Sequence, residues 1–411
     1  MASNSDTAAS EKIPITPLLK QLAYFRTEGR ATADQIAAAF ALIFKDQLSP
    51  VQVASFLVLL HMSERDWDPE VIVRCAEQMR LAALQTDRDA LRAIAKERGR
   101  PEGSYQGGFC DIVGTGGDNH STFNISTTAS IITSSLLILS KHGNRAQTSK
   151  SGSADVLEAI APSPPKIHNV FASNLPQVYR KTNYAFLFAP NFHPGMKYAA
   201  PMRRELGVRT IFNLLGPLAN PIEDVLEARV VGVAQTGLGP IFAEALRLAG
   251  AKKALVVCGE EELDEISCAG PTNCWRVVER NGIVGIEQFK ISPNDFGLPI
   301  HALTSVCPGR LPNENAKILM DLLANRRDRD DPIQHFVQMN AAALFVISGI
   351  CDADTSNMGP GDDGKVIKDV GPGGLRWKEG LRRARWAIES GEALKSLQGF
   401  INVTQDLEQS T

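Results

Sequence analysis

The sequence predicts an α/β protein: an N-terminal helical domain joined to a larger domain with a mostly parallel central sheet. Two observations carry this. Between residues 13 and 95, four amphipathic patterns with helix-start signals follow closely on one another. From about residue 104, short apolar runs alternate with helical patterns, the order that builds a parallel sheet covered on both faces. A chain of 411 residues, 44% of them hydrophobic, can fill two cores.

Met1–Lys12 is rich in Ser, Ala and Asp and is predicted disordered. Leu18, Leu19, Leu22 and Phe25 mark the first helix. Thr32 opens the second, with Gln35 completing a capping box and Ile36, Phe40, Ile43 and Phe44 forming one stripe. Ser49-Pro50-Val51-Gln52 supplies a cap, an N1 proline and an N3 glutamine for the third. Asp68-Pro69 starts the fourth. Helices this close need each other's apolar faces, so residues 13–95 form the helical domain. Asp87–Gly108, charged and then glycine-rich, reads as a connection.

The larger domain spans residues 104–402. Cys110–Val113 is a buried strand that runs into Gly114-Thr115-Gly116-Gly117-Asp118, where glycines let the backbone turn and approach a ligand. Ser121 to Thr128 is rich in hydroxyls and opens a helix running to about Leu136. A strand, a glycine turn and a helix start form an anion cradle. The second strand, Leu136–Ser140, delivers Lys141-His142-Gly143-Asn144-Arg145, with Ser149, Ser151 and Ser153 behind it and a helix at Ala154–Ile160. Two successive strand ends carrying anion-binding groups predict one polyphosphate site. The glycine turn is neither a Walker A loop nor GxGxxG.

Pro162–Lys166 breaks the chain. Asn183–Pro190, Arg229–Ala234 and Ala254–Cys258 are strands, and Pro240–Gly250 is a helix with a C-cap glycine. Five acids crowd Glu260–Glu265, at a strand's C-terminal end, where α/β sheets form their crevice. Residues 270–310 are more β-like. Arg326–Asp331 is a solvated charge run, Asn340–Ile350 a helix, Asp352–Gly374 a loop read as an insertion, and Trp377–Phe400 one closing helix.

The net charge of −3, with both signs dispersed, gives no support to a nucleic-acid or anionic-membrane surface. Seven cysteines without a CxxC pair point to buried thiols in a reducing compartment. With no signal-peptide pattern and no apolar run of about 18 residues, the expectation is a soluble cytoplasmic protein.

The blocks GTGGD, NIST, KHGNR and SGSADVLEA, in this order, resemble the anthranilate phosphoribosyltransferase family of tryptophan biosynthesis. Pro201–Thr210 and Phe212–Pro221 match it as well. The resemblance implies a fold like that of the nucleoside phosphorylases, with residues 190–215 adding helices to the small domain, which also makes a homodimer. It implies transfer of a phosphoribosyl group from phosphoribosyl pyrophosphate to the amine of anthranilate, with Mg2+. Gly114, Thr115, Gly116, Gly117, Asp118, Thr122, Asn124, Ile125, Ser126 and Thr127 are then expected to bind pyrophosphate and ribose. Lys141, His142, Gly143, Asn144, Arg145, Ser149 and Ser153 are expected at the phosphoribosyl group, Asn144 also touching anthranilate. Arg203, or failing it Arg204, takes the anthranilate carboxylate, which suits a guanidinium fork. Ser126, Asp264 and Glu265 are the expected metal ligands. His142 can accept a proton, but an aromatic amine, neutral at pH 7, does not need a base. A pyrimidine nucleoside phosphorylase and a non-catalytic nucleic-acid-binding relative are the alternatives.

Overall fold

The computed structural model describes residues 11–118, 120, 122–146, 150–307 and 311–408. They pack into two units: residues 1–84 with 193–215, and residues 85–192 with 216–411. Residues 1–10 of the predicted disordered stretch lie outside the described residues.

The smaller unit is built on α1 (Thr16–Ala23), α2 (Ala33–Phe44), α3 (Pro50–Met62) and α4 (Pro69–Leu81). Both predicted capping boxes are formed, Thr32 with Gln35 and Ser49 with Gln52, and Asp68 caps α4. The first helix stops at Ala23, leaving Phe25 exposed beyond it. Ile36, Phe40, Phe56, Leu57, Leu60 and Ile72 are fully buried. The returning segment brings Phe212 to 4.9 Å from the Phe40 ring centre, so it completes this core.

One correction concerns the boundary. Residues 87–98 are not a plain connection, nor part of the bundle. They form α5 (Arg88–Arg98), capped by Asp87, in the larger unit. Its apolar face, Leu91 and Ile94, is buried there, and it packs on α8 (Leu175–Lys181).

The larger unit holds a seven-stranded sheet in the order β3-β2-β1-β4-β5-β6-β7. The strands are β1 (Phe109–Gly114), β2 (Ile138–Gly143), β3 (Tyr184–Phe188), β4 (Leu226–Gly232), β5 (Lys253–Gly259), β6 (Thr272–Arg280) and β7 (Ile283–Ile291). β1 to β5 pair in parallel; β6 and β7 add an antiparallel edge. Between β1 and β2 lies α6 (Ile125–Thr133), shorter than read at both ends. α7 (Ser153–Glu158) and α8 precede β3, and α9 (Ala189–Phe192) follows it. α10 (Ala200–Leu206) and α11 (Phe212–Leu215) belong to the small unit, and α12 (Leu238–Leu248) packs on β5 and β6.

α13 (Pro312–Leu323) and α14 (Pro332–Ser348) follow the antiparallel edge. α14 starts eight residues before the predicted helix. Asp331 caps it, accepting from the Ile333 and Gln334 amides. Every residue from Ile333 to Ser348 is buried, so the helix shows no polar face, and its internal Gln334, His335, Gln338 and Asn340 disguise it further. The predicted closing helix is two: α15 (Trp377–Glu389) and α16 (Glu392–Glu408), broken at Gly391, which has φ +78°.

The loop 352–374 is tied down by side chains. Arg382 donates to Asp362 and Ser356, Glu379 accepts the Ile367 amide, and the Trp386 indole donates to Pro360 O. Arg383, fully buried, bridges Glu379 at 2.8 Å and Glu102 at 2.6 Å. No helix among the described residues is long and apolar enough to cross a membrane.

Candidate active site

The site grows from the carboxyl ends of β1, β2, β4 and β5. As β1 ends, the Thr115 amide donates to Gly232 O at 2.9 Å, and the Thr115 hydroxyl accepts from the Ala234 amide at 3.2 Å. The glycine turn is thus fastened to the end of β4. Gly116 and Gly117 follow with φ of +68° and +78°, a left-handed pair that side chains resist. The Gly116 amide then donates to Asp264 Oδ2 at 2.6 Å. This bond joins the glycine turn to the acidic loop after β5. A Cβ on Gly232 would lie 1.5 Å from Asp264 O, and one on Gly114 would lie 2.4 Å from Asp264 Oδ2. Two strand ends without side chains let the acidic loop settle on the sheet.

The path into α6 is fixed on its outer side. His120 Nε2 pairs with Glu261 O at 2.8 Å. Phe123 is buried, its amide donating to Val306 O. Asn124 does not cap α6 with its side chain. Its amide group reaches Ser151 O at 3.0 Å, and its carbonyl accepts from Asn315 at 2.8 Å. Thr122 and Ser126 are half-buried, whereas Ile125 is fully buried and can meet a ligand through its backbone alone. The Thr127 hydroxyl donates to Ser153 Oγ at 2.8 Å, joining α6 to the start of α7.

The second loop differs from the sequence reading. Lys141, His142 and Gly143 are not in a loop; they are the last residues of β2, paired with Phe186, Leu187 and Phe188 of β3. Lys141 and His142 are buried. The Lys141 ammonium donates to Ile112 O at 2.7 Å and lies 3.4 Å from Ser126 Oγ, beneath the acidic loop. Asn144 is exposed at the rim. Asp155 accepts from the Ala146 and Gly152 amides, both at 2.9 Å. Arg145 is committed to Glu158 at 2.6 Å and Asp155 at 3.1 Å, with its guanidinium over the Phe188 ring. Its charge is already neutralised, which weakens the expectation that it holds phosphate. Ser149 lies outside the described residues.

Asp118, Asp264 and Glu265 influence one another's charge here, and Lys141 is the cation of the described residues that offsets them. Burial, then the charge of Asp118, push the Asp264 carboxyl well above the usual range, against the Gly116 N–H. Burial, then Asp264 and Asp118, do the same to Glu265, against the Ser126 backbone. Burial pushes Lys141 down, while Asp111, Glu265 and Asp264 pull it back up. Glu265 Oε2 is buried with no hydrogen-bond partner among the described residues. Crowded acids and an orphaned carboxylate oxygen suit a hard divalent cation. Among the described residues no three His, Cys, Asp or Glu side chains form a closed metal cage. Such an ion therefore needs further oxygens from an anionic ligand and from water.

Arg203, in α10 of the smaller unit, stacks 5.0 Å over the Phe212 ring. Burial pushes its pKa down, and no acid of the described residues counters this. Arg204 is exposed. Several site residues escaped the sequence reading: Gly232, His120, Asn315, Asp155 and Asp111. Asp111 did carry a signal, being a lone carboxylate within an apolar strand.

Comparison with known proteins identifies the family. Residues 106–394 match the family model described as glycosyl transferase family, a/b domain, and residues 16–83 match its helical bundle domain. The anthranilate phosphoribosyltransferase of Schizosaccharomyces pombe is 37% identical over 369 residues, 90% of this chain and 91% of its own. That of Herpetosiphon aurantiacus is 35% identical over 90% of this chain and 94% of its own. The solved Saccharomyces cerevisiae enzyme, in complex with phosphoribosyl pyrophosphate and magnesium, aligns with a TM-score of 0.77 at 29% identity. That alignment covers 95% of this chain and 98% of the other. With its glycine turn, acidic loop and helical unit matched along nearly its whole length, the chain belongs to the anthranilate phosphoribosyltransferase family.

Proposed function

We propose that this protein transfers the phosphoribosyl group of 5-phosphoribosyl 1-pyrophosphate to the amine of anthranilate in tryptophan biosynthesis. The products are N-(5-phosphoribosyl)anthranilate and pyrophosphate. The observation that supports this reading is the Gly116–Asp264 bond, which joins the glycine turn to the loop carrying Asp264 and Glu265. The relatives add the substrates: one Saccharomyces cerevisiae structure holds phosphoribosyl pyrophosphate and magnesium, another 4-fluoroanthranilate.

In this reading the amides and hydroxyls of Gly114–Asp118, Thr122 and Asn124–Thr127 bind pyrophosphate and ribose, with Gly143, Ser149 and Ser153 toward the phosphoribosyl group. Ser126, Asp264 and Glu265 hold Mg2+, which, when bound, neutralises charge on the departing pyrophosphate. The C1–N bond forms as the C1–O bond to pyrophosphate breaks, the bonding pair leaving with pyrophosphate, and the nitrogen, now cationic, gives its proton to solvent water. Asn144, exposed at the mouth of the loop, and Arg203, a guanidinium with no acid partner among the described residues, orient anthranilate. Catalysis is by positioning and by preset charge. His142, buried in β2, is not needed as a base.

Anthranilate fluorescence, followed together with pyrophosphate release, tests the proposal. Equal consumption and release is the expected result. Release of pyrimidine base from thymidine and phosphate, without anthranilate loss, would instead establish a nucleoside phosphorylase.

We further propose a cytoplasmic homodimer formed through the helical unit. Among the described residues, nine of the sixteen exposed large hydrophobic side chains fall in that unit, including Tyr24, Val51, Met62 and Leu81. That share of exposed apolar side chains on the smaller unit is the feature that supports a protein partner there. Sedimentation giving a 44.5 kDa species would overturn it.

A further inference from the structure

Asn220 lies in the block Phe212–Pro221, to which the reaction assigns no role. Its surroundings give it one. The two strands that carry the ligand loops, β1 and β2, are neighbours, yet they pair only through Phe109↔Ile138 and Cys110↔Leu139 among the described residues. β1 continues beside β4 to Gly114, and β2 continues beside β3 to Gly143. The sheet therefore opens between β1 and β2 just before both strands reach the site.

Side chains fill the opening. The Asn220 amide, fully buried, donates to Asp111 Oδ2 of β1 at 3.0 Å and to Ser140 O of β2 at 2.9 Å. Its carbonyl accepts from the Ile222 amide at 3.1 Å, which fixes the orientation of the amide group. One residue further along each strand, Lys141 of β2 crosses the same gap to Ile112 O of β1. Asp111 is buried together with Lys141, and its charge is the first of those that pull the Lys141 pKa back up. A backbone ladder would have set the strands at the usual spacing of about 4.8 Å. Here a carboxamide and an ammonium set it.

We infer that Asn220 and Asp111 are positioning residues for the phosphoribosyl transfer: together they fix the spread between the glycine turn and the Asn144 loop and seat Lys141 under the site. The inference rests on the proposed reaction, because it concerns the geometry of that site. Neither residue touches substrate in this account. They act through Lys141 and through the two strand ends.

The test uses the full-length protein in four forms: wild type, Asn220→Asp, Asp111→Asn and the double exchange. Asn220→Asp is nearly isosteric but sets two carboxylates face to face. It should lower kcat/KM for phosphoribosyl pyrophosphate by about tenfold or more, as a small misplacement of reacting groups does. The KM for phosphoribosyl pyrophosphate should rise at least about threefold more than that for anthranilate, whose carboxylate Arg203 holds in the proposed reaction, a split that general loss of structure would not produce. Adding Asp111→Asn restores a donor–acceptor pair and should recover about threefold or more of the loss, since coupled neighbours are non-additive.

Unchanged kcat/KM in a folded Asn220→Asp protein overturns the inference, and so does a double exchange no better than the single. If Asn220→Asp does not fold, Asp111→Asn alone decides. It keeps an acceptor for Asn220 but removes the charge beneath Lys141, so a loss of about threefold or more is expected and none overturns it. Absence of turnover in the wild type would instead remove the reaction on which the inference rests.

Discussion

Asp264 answers three demands at one position. It accepts the amide that shapes the glycine turn, it leans on two strand ends without side chains, and it shares charge with Glu265 and Asp118. Asp264→Asn with Glu265→Gln keeps these shapes while removing the charge. Turnover should fall by at least about a hundredfold, the scale on which a single preset electrostatic contact acts, and added magnesium should not restore it. A double variant that still responds to magnesium like the wild type would show that the ion is held elsewhere. Arg203 makes a different kind of prediction. Loss of a charged hydrogen bond of about 1.5–3 kcal/mol should raise the KM for anthranilate about tenfold or more in Arg203→Ala. The KM for phosphoribosyl pyrophosphate should hardly move, and equal shifts in both would assign Arg203 to packing over Phe212.

The elements show what a sequence can and cannot reveal. Thr32, Ser49 and Asp68 announce their helices because a cap is a local bargain between a side chain and the next few amides. The glycine turn is equally legible, since the residues that take its left-handed conformation, Gly116 and Gly117, lie within it. Only the second half of α14 is legible, because a helix buried on all sides has no polar stripe to give it away. Lys141 reads as a loop residue just after the strand Leu136–Ser140, and no local pattern says that an ammonium can end inside a sheet. Which loop rests on Gly232 is decided by contacts more than thirty residues apart, beyond any pattern in one stretch.

α14 also carries a pH response. His335, 1% exposed, faces His301 at 2.9 Å. Burial first, then His301 and Arg385, push its pKa below 6.5, while the Arg329 backbone and Asp330 pull it upward. The folded state thus binds this proton less readily than the unfolded chain. Its contribution to stability is present above pH 6.5 and is lost as pH falls through 6.5 toward the lowered value. Thermal unfolding of wild type should weaken between pH 7 and pH 5, and His335→Gln should flatten part of that slope. Identical slopes would remove His335 from the account.

At the scale of the whole molecule, polar ties reach across long stretches of sequence. Arg383 joins Glu102, ahead of the first strand, to Glu379, and Arg382 extends the chain of charges into the loop at Ser356 and Asp362. Arg383→Ala leaves two acids without their common partner, one of them fully buried. The cost should be about 3–5 kcal/mol of unfolding free energy. Calorimetry or denaturant titration checks it, and an unchanged midpoint would mean that water or Arg382 takes over.

The division of the chain has a consequence for how this protein can be taken apart. The helical unit is written in two places, residues 1–84 and 193–215, with the start of the larger unit spelled out between them. No single cut liberates either unit whole. A break after residue 84 leaves Phe212 on the other fragment, so the released bundle lacks part of its own filling. Anyone grafting this bundle onto a relative must therefore transplant two passages of text at once.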